Sequence, residues 1–122
     1  MRGRTAASDH TVAWFVQAGL GILLVIFLCV HLAVNHWVAP QGLLSYEDII
    51  RYFNVPGIAL MEFLFLLVVT THCLMGIYSI LLDLNLTPRL KTLFRWILIA
   101  IGFATVLYGF HLTWSLARLS ML

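Results

Sequence analysis

The sequence has few charged residues. Among its 122 residues are seven basic and five acidic side chains, three prolines and two cysteines. Hydrophobic residues make up 62% of the chain, and the mean hydropathy is +1.01. A soluble domain of this size needs more polar surface than this composition supplies, so the chain is predicted to be a membrane protein.

Several kinds of functional motif are also missing. The two cysteines, Cys29 and Cys73, lie in apolar segments, and the sequence contains no Cys-x-x-Cys-His motif. This spacing argues against a disulfide scaffold and against covalent haem attachment. Because there is also no phosphate-binding loop, nucleophile elbow or zinc motif, we expect no catalytic centre of those classes and no nucleic-acid partner.

Three stretches contain no Asp, Glu, Lys or Arg: residues 10–46, 63–82 and 96–117. Each is long enough for the roughly 20 apolar residues that cross a ~30 Å hydrocarbon core. We therefore predict an all-α membrane protein with three transmembrane helices at approximately 12–38, 57–83 and 92–117. We expect a single membrane domain over 1–122, in which the first span is too long and too polar downstream to be a cleaved signal peptide.

The basic residues indicate the orientation. Five of the seven lie before the first span or between the second and third, at Arg2, Arg4, Arg89, Lys91 and Arg95. Cytoplasmic loops of membrane proteins carry an excess of Lys and Arg. We expect an integral multi-pass protein of a bacterial cytoplasmic (inner) membrane, with the N-terminus in the cytoplasm.

The first loop contains "SYEDIIRYFN", in which Ser45 and Asp48 have the spacing of a capping box. Its apolar residues fall on one face, which predicts a short interfacial helix on the outer side. Pro56 and Pro88 suit the first turns of the second and third spans, and Asn54 and Thr87 are the expected caps.

The second span ends in "THCLMGIYSILLD", residues 71–83, where four residues share one narrow helical face: His72, Gly76, Ser79 and Asp83. A glycine one turn below an imidazole leaves room for a flat macrocycle, which predicts haem bound by His72. The alternative is a packing glycine beside a histidine that hydrogen-bonds between helices. An ionisable residue is costly in a bilayer, which favours the functional interpretation.

The other spans offer further histidines. His31 lies within the first apolar run and is a second ligand candidate. His36 lies about 140° around the helix from it, and is expected at the membrane boundary or in contact with a haem propionate. His111 shares a face with Trp114 and Arg118 in the third span, which indicates either an interfacial cluster or a propionate contact.

Depth separates the two candidate ligands. Measured from the outer ends of their predicted spans, His31 and His72 differ by about 12 Å. That offset is too large for one iron, and it favours two stacked haems that each take a second axial ligand from another chain. A single haem remains open.

The pattern of His72, Gly76 and Asp83 resembles the haem-binding helix of the membrane-anchor subunits of succinate dehydrogenase (complex II) and the related quinol:fumarate reductases. The histidine on the first span, His31, is also similar. The resemblance implies a D-type cytochrome b anchor, a non-catalytic subunit of an oxidoreductase. It implies one or two haem b groups shared with a second membrane-anchor subunit, beneath an iron–sulfur subunit and a flavoprotein subunit. Electrons from succinate would pass through iron–sulfur clusters to a quinone.

The resemblance implies roles for three positions. His72 and His31 match axial ligands, and Asp83 matches an acid beside the quinone pocket. Leu84 stands where some relatives have a tyrosine, and a Ser and Arg signature found near the start of the first helix in one of the two anchor subunits is missing. Gly76 is followed by Ile77 and Tyr78, without the arginine of the C-type anchor. Asp83 could instead be a solvated helix-end carboxylate or the partner of Arg89.

Three alternative functions stay open at this point. The chain could be the haem b anchor of a quinol:fumarate reductase, or of another redox enzyme such as a hydrogenase or formate dehydrogenase. It could also be a haem-free scaffold or small transporter subunit, in which the histidines are structural or relay protons.

Overall fold

The computed structural model describes the backbone of residues 2–38, 40, 42 and 44–121, and these residues form helices without any strand. The helices are α1 (Arg2–Val38), α2 (Tyr46–Phe53), α3 (Ile58–Asp83) and α4 (Pro88–Leu119). Helices α1, α3 and α4 are long and apolar enough to cross a membrane. The predicted all-α fold with three membrane-spanning helices is therefore confirmed.

Helix α3 lies in the middle of the structure. It packs along both α1 and α4, whereas α1 and α4 share no contact within the described residues. Helix α2 contacts all three long helices at one end of the bundle, here called the α2 end. The other end, where α3 ends and α4 begins, carries Arg89, Lys91 and Arg95 and is called the basic end.

Helices α1 and α3 run antiparallel in a fixed register. A step up α1 is matched by an equal step down α3, because the facing pairs are Gln17 with Gly76, Gly21 with His72, and His31 with Glu62. This register determines which polar side chains meet inside the membrane.

Two glycines bring α4 close to α3. A Cβ added to Gly102 would lie 2.5 Å from Leu74 Cδ1, and one added to Gly109 would overlap Leu66. Small residues at such positions let helix backbones approach closely, which strengthens van der Waals packing in a bilayer.

The short helix α2 is capped as the sequence predicts. The Ser45 side chain accepts a hydrogen bond from the Asp48 N–H at 3.2 Å, and the Asp48 carboxylate accepts one from the Ser45 N–H at 3.0 Å. The Ser45 hydroxyl also donates a hydrogen bond to that carboxylate at 2.7 Å, and the bonds donated by the Ser45 N–H and hydroxyl hold the pKa of Asp48 below its usual value. The capping box is confirmed.

Replacing Ser45 by alanine is expected to loosen α2, because the Asp48 N–H loses its acceptor. An N-cap of this kind stabilises a helix by about 1 kcal/mol, a large share for eight residues. Hydrogen exchange should accelerate at the α2 amides and stay unchanged in the middle of α3. Equal exchange at α2 in both proteins would contradict the capping role.

Of the two predicted helix starts, the one at Thr87 and Pro88 agrees with the structure. Thr87 accepts a hydrogen bond from the Leu90 N–H at 3.5 Å, and Pro88 occupies the first position of α4. The prediction for Pro56 and Asn54 is wrong. Asn54 ends α2, and α3 begins after Gly57, whose φ of 84° lies in the left-handed region. Only glycine adopts that backbone readily, so the turn between α2 and α3 uses Gly57 and leaves Pro56 outside the helix.

Candidate functional site

The imidazole of His72 faces α1. A Cβ added to Gly21 would lie 3.2 Å from His72 Cε1, so the glycine provides the space that the ring fills. The Nδ1 atom of His72 is buried and has no hydrogen-bond partner within the described residues. Because buried polar atoms are nearly always paired, an unpaired ring nitrogen inside the bundle marks His72 as a candidate functional residue.

Gln17 lies against the same stretch of α3. Its Nε2 donates a hydrogen bond to the His72 carbonyl oxygen at 3.0 Å, and a Cβ on Gly76 would lie 3.3 Å from that nitrogen. The open side of Gly76 therefore holds the Gln17 amide, whose own Oε1 is buried without a partner. A macrocycle edge beside Gly76 requires this amide to turn aside, and the predicted haem contact of Gly76 stays a prediction.

His31 belongs to a second polar cluster near the α2 end. Its Nδ1 lies 2.7 Å from Glu62 Oε1, and the hydroxyl of Tyr52 donates a hydrogen bond to the same oxygen. The Asn35 side chain donates a hydrogen bond to the His31 carbonyl oxygen at 2.7 Å. The His31 side chain is 32% exposed and that of Glu62 is 16% exposed, so both members of the pair are partly buried.

The cluster forms one wall of a cavity of about 300 Å³. Helix α2 lines the cavity through Tyr52, and apolar lining comes from Leu66 of α3 and from Gly109 and Leu112 of α4. Tyr52, on α2, is 4% exposed. Burial raises the pKa of its phenol above the usual value, and the hydrogen bond to Glu62 adds to the rise. The phenol therefore stays protonated as a hydrogen-bond donor.

The two histidines occupy different depths. His31 is level with Glu62, and His72 is level with Gly21. These levels are ten residues apart on both α1 and α3, which corresponds to about 15 Å along the helices. One iron cannot bind both imidazoles, in agreement with the offset estimated from the sequence.

The predicted quinone residue lies at the basic end. Asp83 is the last residue of α3 and is exposed, as is Ser79 one turn above it. The one ion pair among the described residues joins His31 to Glu62, so Asp83 is not paired with Arg89. Instead, the Lys91 Nζ donates a hydrogen bond to the Leu82 carbonyl at 2.7 Å, at the end of α3.

The remaining predicted contacts are on the surface of the chain. His36 and His111 are exposed, and the structure does not bring them together with either His31 or His72. Near His111, Arg118 lies over the Trp114 ring at 5.0 Å, as expected for an interfacial cluster. Contacts of His36 and His111 with haem propionates stay predictions.

The sequence analysis did not single out Glu62 or Gln17, which hydrogen-bond to the two histidines from the opposite helix. Glu62 lies in the second turn of α3 and contacts the His31 side chain. Gln17 lies on α1 and donates a hydrogen bond to the His72 backbone. An acid or amide inside an apolar helix is itself a signal for a functional or structural partner in the membrane.

These features define a class: a three-span membrane subunit with two imidazoles held at separate depths. The family of succinate dehydrogenase/fumarate reductase transmembrane subunits matches residues 2–111. The chain belongs to this family, and the predicted resemblance to a complex II membrane-anchor subunit is confirmed.

Two curated proteins are similar over most of their length. The succinate dehydrogenase hydrophobic membrane anchor subunit of Thermoplasma acidophilum is 27% identical over 107 residues, covering 88% of this chain and 87% of that protein. The subunit of the same name from Archaeoglobus fulgidus is 27% identical over 105 residues, covering 86% and 89%. No solved structure matches the chain.

Proposed function

We propose that the chain is the D-type, haem b-binding anchor subunit of a succinate:quinone oxidoreductase, with its N-terminus in the cytoplasm. One observation carries the proposal: two imidazoles within the spans lie about 15 Å apart in depth, which suits two ligand sites rather than one. The anchor holds the iron–sulfur and flavoprotein subunits at the membrane and contributes to electron transfer to quinone.

The histidine nitrogens fit haem ligation. Neither ring nitrogen of His72 has a hydrogen-bond partner within the described residues. In His31 the Glu62 carboxylate occupies Nδ1, and Nε2 has no hydrogen bond in the described part of the chain. Imidazole is a common axial ligand of haem iron, and a haem so bound supplies one-electron transfer. With one histidine of this chain for each haem, the sister anchor subunit would supply the second ligand.

A partner subunit is also supported by burial. Among the described residues, Tyr52 and Ile58 are the two hydrophobic side chains that the chain buries almost completely. Many large apolar side chains are exposed along all three long helices. Lipid covers some of this surface, and the second membrane-anchor subunit is proposed to cover the rest.

The basic end is the proposed place where the quinone binds and the soluble subunits dock. Asp83 is exposed there and has no ion pair among the described residues, so its carboxylate is accessible to a quinone bound at this end. We propose that it exchanges protons with that quinone. Arg89 and Arg95 are exposed near it and give this end a positive surface. We propose that this surface faces the cytoplasm and the iron–sulfur subunit.

Replacing His72 by glutamine is expected to remove or shift one b-type haem signal. The experiment purifies the complex through its flavoprotein subunit and records reduced-minus-oxidised absorbance spectra. Cys73→Ala is the matched control, because Cys73 is exposed on the neighbouring position of the same helix. A His72→Gln complex with an unchanged haem spectrum would refute the ligand role, and a native complex without haem would refute the proposed function.

A further inference from the structure

We propose that Glu62 is a positioning residue for His31: its carboxylate fixes the tautomer and orientation of the imidazole and lowers the midpoint potential of the haem bound there. This inference rests on the proposed function, because it takes His31 to be an axial ligand. It adds a role for an acidic residue that the resemblance did not assign.

The hydrogen bonds determine the tautomer. An ionised carboxylate only accepts hydrogen bonds, so the 2.7 Å contact between His31 Nδ1 and Glu62 Oε1 places the proton on Nδ1. The Tyr52 hydroxyl, the second group bound to that oxygen, also acts as a donor. A neutral imidazole protonated on Nδ1 has its lone pair on Nε2. Nε2 is therefore the atom available to the iron.

The surroundings hold both members of the pair in place. The Asn35 side chain is bonded to the His31 backbone, and the Phe65 ring lies 5.3 Å from the imidazole, centroid to centroid. Tyr52 fixes the carboxylate from the side of α2, which is itself tied to the end of α4 because the Ser120 hydroxyl donates to the Phe53 carbonyl at 3.3 Å. Glu62 and Phe65 of α3, with Tyr52 of α2 behind the carboxylate, thus restrict how the imidazole can rotate.

The charge of Glu62 acts directly on the ligand. Within the described residues, no Lys or Arg pairs with this carboxylate. A carboxylate that accepts the second N–H of a ligating histidine makes the imidazole a stronger electron donor. Stronger donation and a nearby negative charge both stabilise ferric over ferrous iron, so the midpoint potential falls. The competing interpretation is that His31 and Glu62 only satisfy each other's polar groups inside the membrane.

Redox titration of the purified holo-complex separates the two interpretations. Glu62→Gln keeps the side-chain shape and removes the charge, so one haem should shift to a higher midpoint potential while the haem content stays the same. The EPR signal of that low-spin ferric haem should move as well. Glu62→Asp retains the charge and should restore the potential in part.

Glu47→Gln is the matched control, because it neutralises an exposed carboxylate on α2 that lies outside the cluster. It should leave both potentials unchanged. If Glu62→Gln lowers stability but leaves the potential and the EPR signal unchanged, the positioning role is overturned and a purely structural pair remains. Should Glu62→Gln not assemble, Glu62→Asp decides in the same way, because its shorter side chain must change the EPR signal if the role is correct.

His31→Gln distinguishes this failure from a failure of the proposed function. Loss of one haem signal in His31→Gln, with no effect of Glu62→Gln, would retain His31 as a ligand and remove only the role of Glu62. No change of the haem spectrum in His31→Gln would show that His31 is not a ligand, and would overturn both.

Discussion

Replacing Gly21 by valine is expected to separate α1 from α3 at the level of His72 and to displace the imidazole. Even the first added carbon would lie 3.2 Å from His72 Cε1, and the two methyl groups of valine extend further. Overpacking of this kind typically costs about 1–3 kcal/mol. Because the ring that moves is the proposed ligand, haem content should fall together with stability.

The measurement is the thermal stability of the purified complex, together with its haem absorbance per flavin. Gly19→Val is a close control, since it adds the same β-branched side chain to the same helix. A Cβ at Gly19 meets nothing within 4 Å. We expect Gly19→Val to resemble the native complex, and equal losses in both variants would show that helix propensity rather than the contact with His72 is responsible.

The three spans were predictable because each contains a long stretch of sequence without charged residues. Apolar runs long enough to cross the membrane must form helices there, since backbone polar groups have no water to bind. The ends were less predictable. α1 begins at Arg2 and α4 extends from Pro88 to Leu119, because helices continue beyond their apolar spans into the flanking polar segments.

The start of α2 was predictable from the sequence, whereas the start of α3 was not. Ser45 and Asp48 cap α2 through bonds between residues three apart, so the sequence alone indicates them. The start of α3 depends instead on the direction in which the chain must turn. Gly57 supplies a left-handed residue for that turn, and a proline one position earlier does not by itself mark the helix start.

Within the candidate site, only the histidines inside the apolar helices were predictable from the sequence. His31 and His72 stand out because ionisable groups are rare within apolar helices. The residues that contact them depend on the register between α1 and α3. The spacing of residues along one helix gives no information about how that helix aligns with another. Gly76 illustrates the consequence: the sequence predicts space for a macrocycle, and the structure places the Gln17 amide there.

The contact between α3 and α4 provides the second large expected effect. Replacing Gly109 by valine should destabilise the bundle by about 1–3 kcal/mol, because a Cβ there overlaps the Leu66 side chain. Both residues line the cavity under α2, so a displaced Leu66 must move into that space or push α4 outwards. The measurement is the free energy of unfolding in detergent.

A double-mutant cycle tests whether Leu66 is the cause. Leu66→Ala removes the obstructing methyl groups, so Gly109→Val combined with Leu66→Ala should be more stable than the sum of the two single losses predicts. Coupling between contacting residues is commonly about 0.5–3 kcal/mol. Ala104→Val, at an exposed position of the same helix, should show additive effects with Leu66→Ala. Additivity for Gly109→Val as well would mean that α4 does not approach α3 through this glycine.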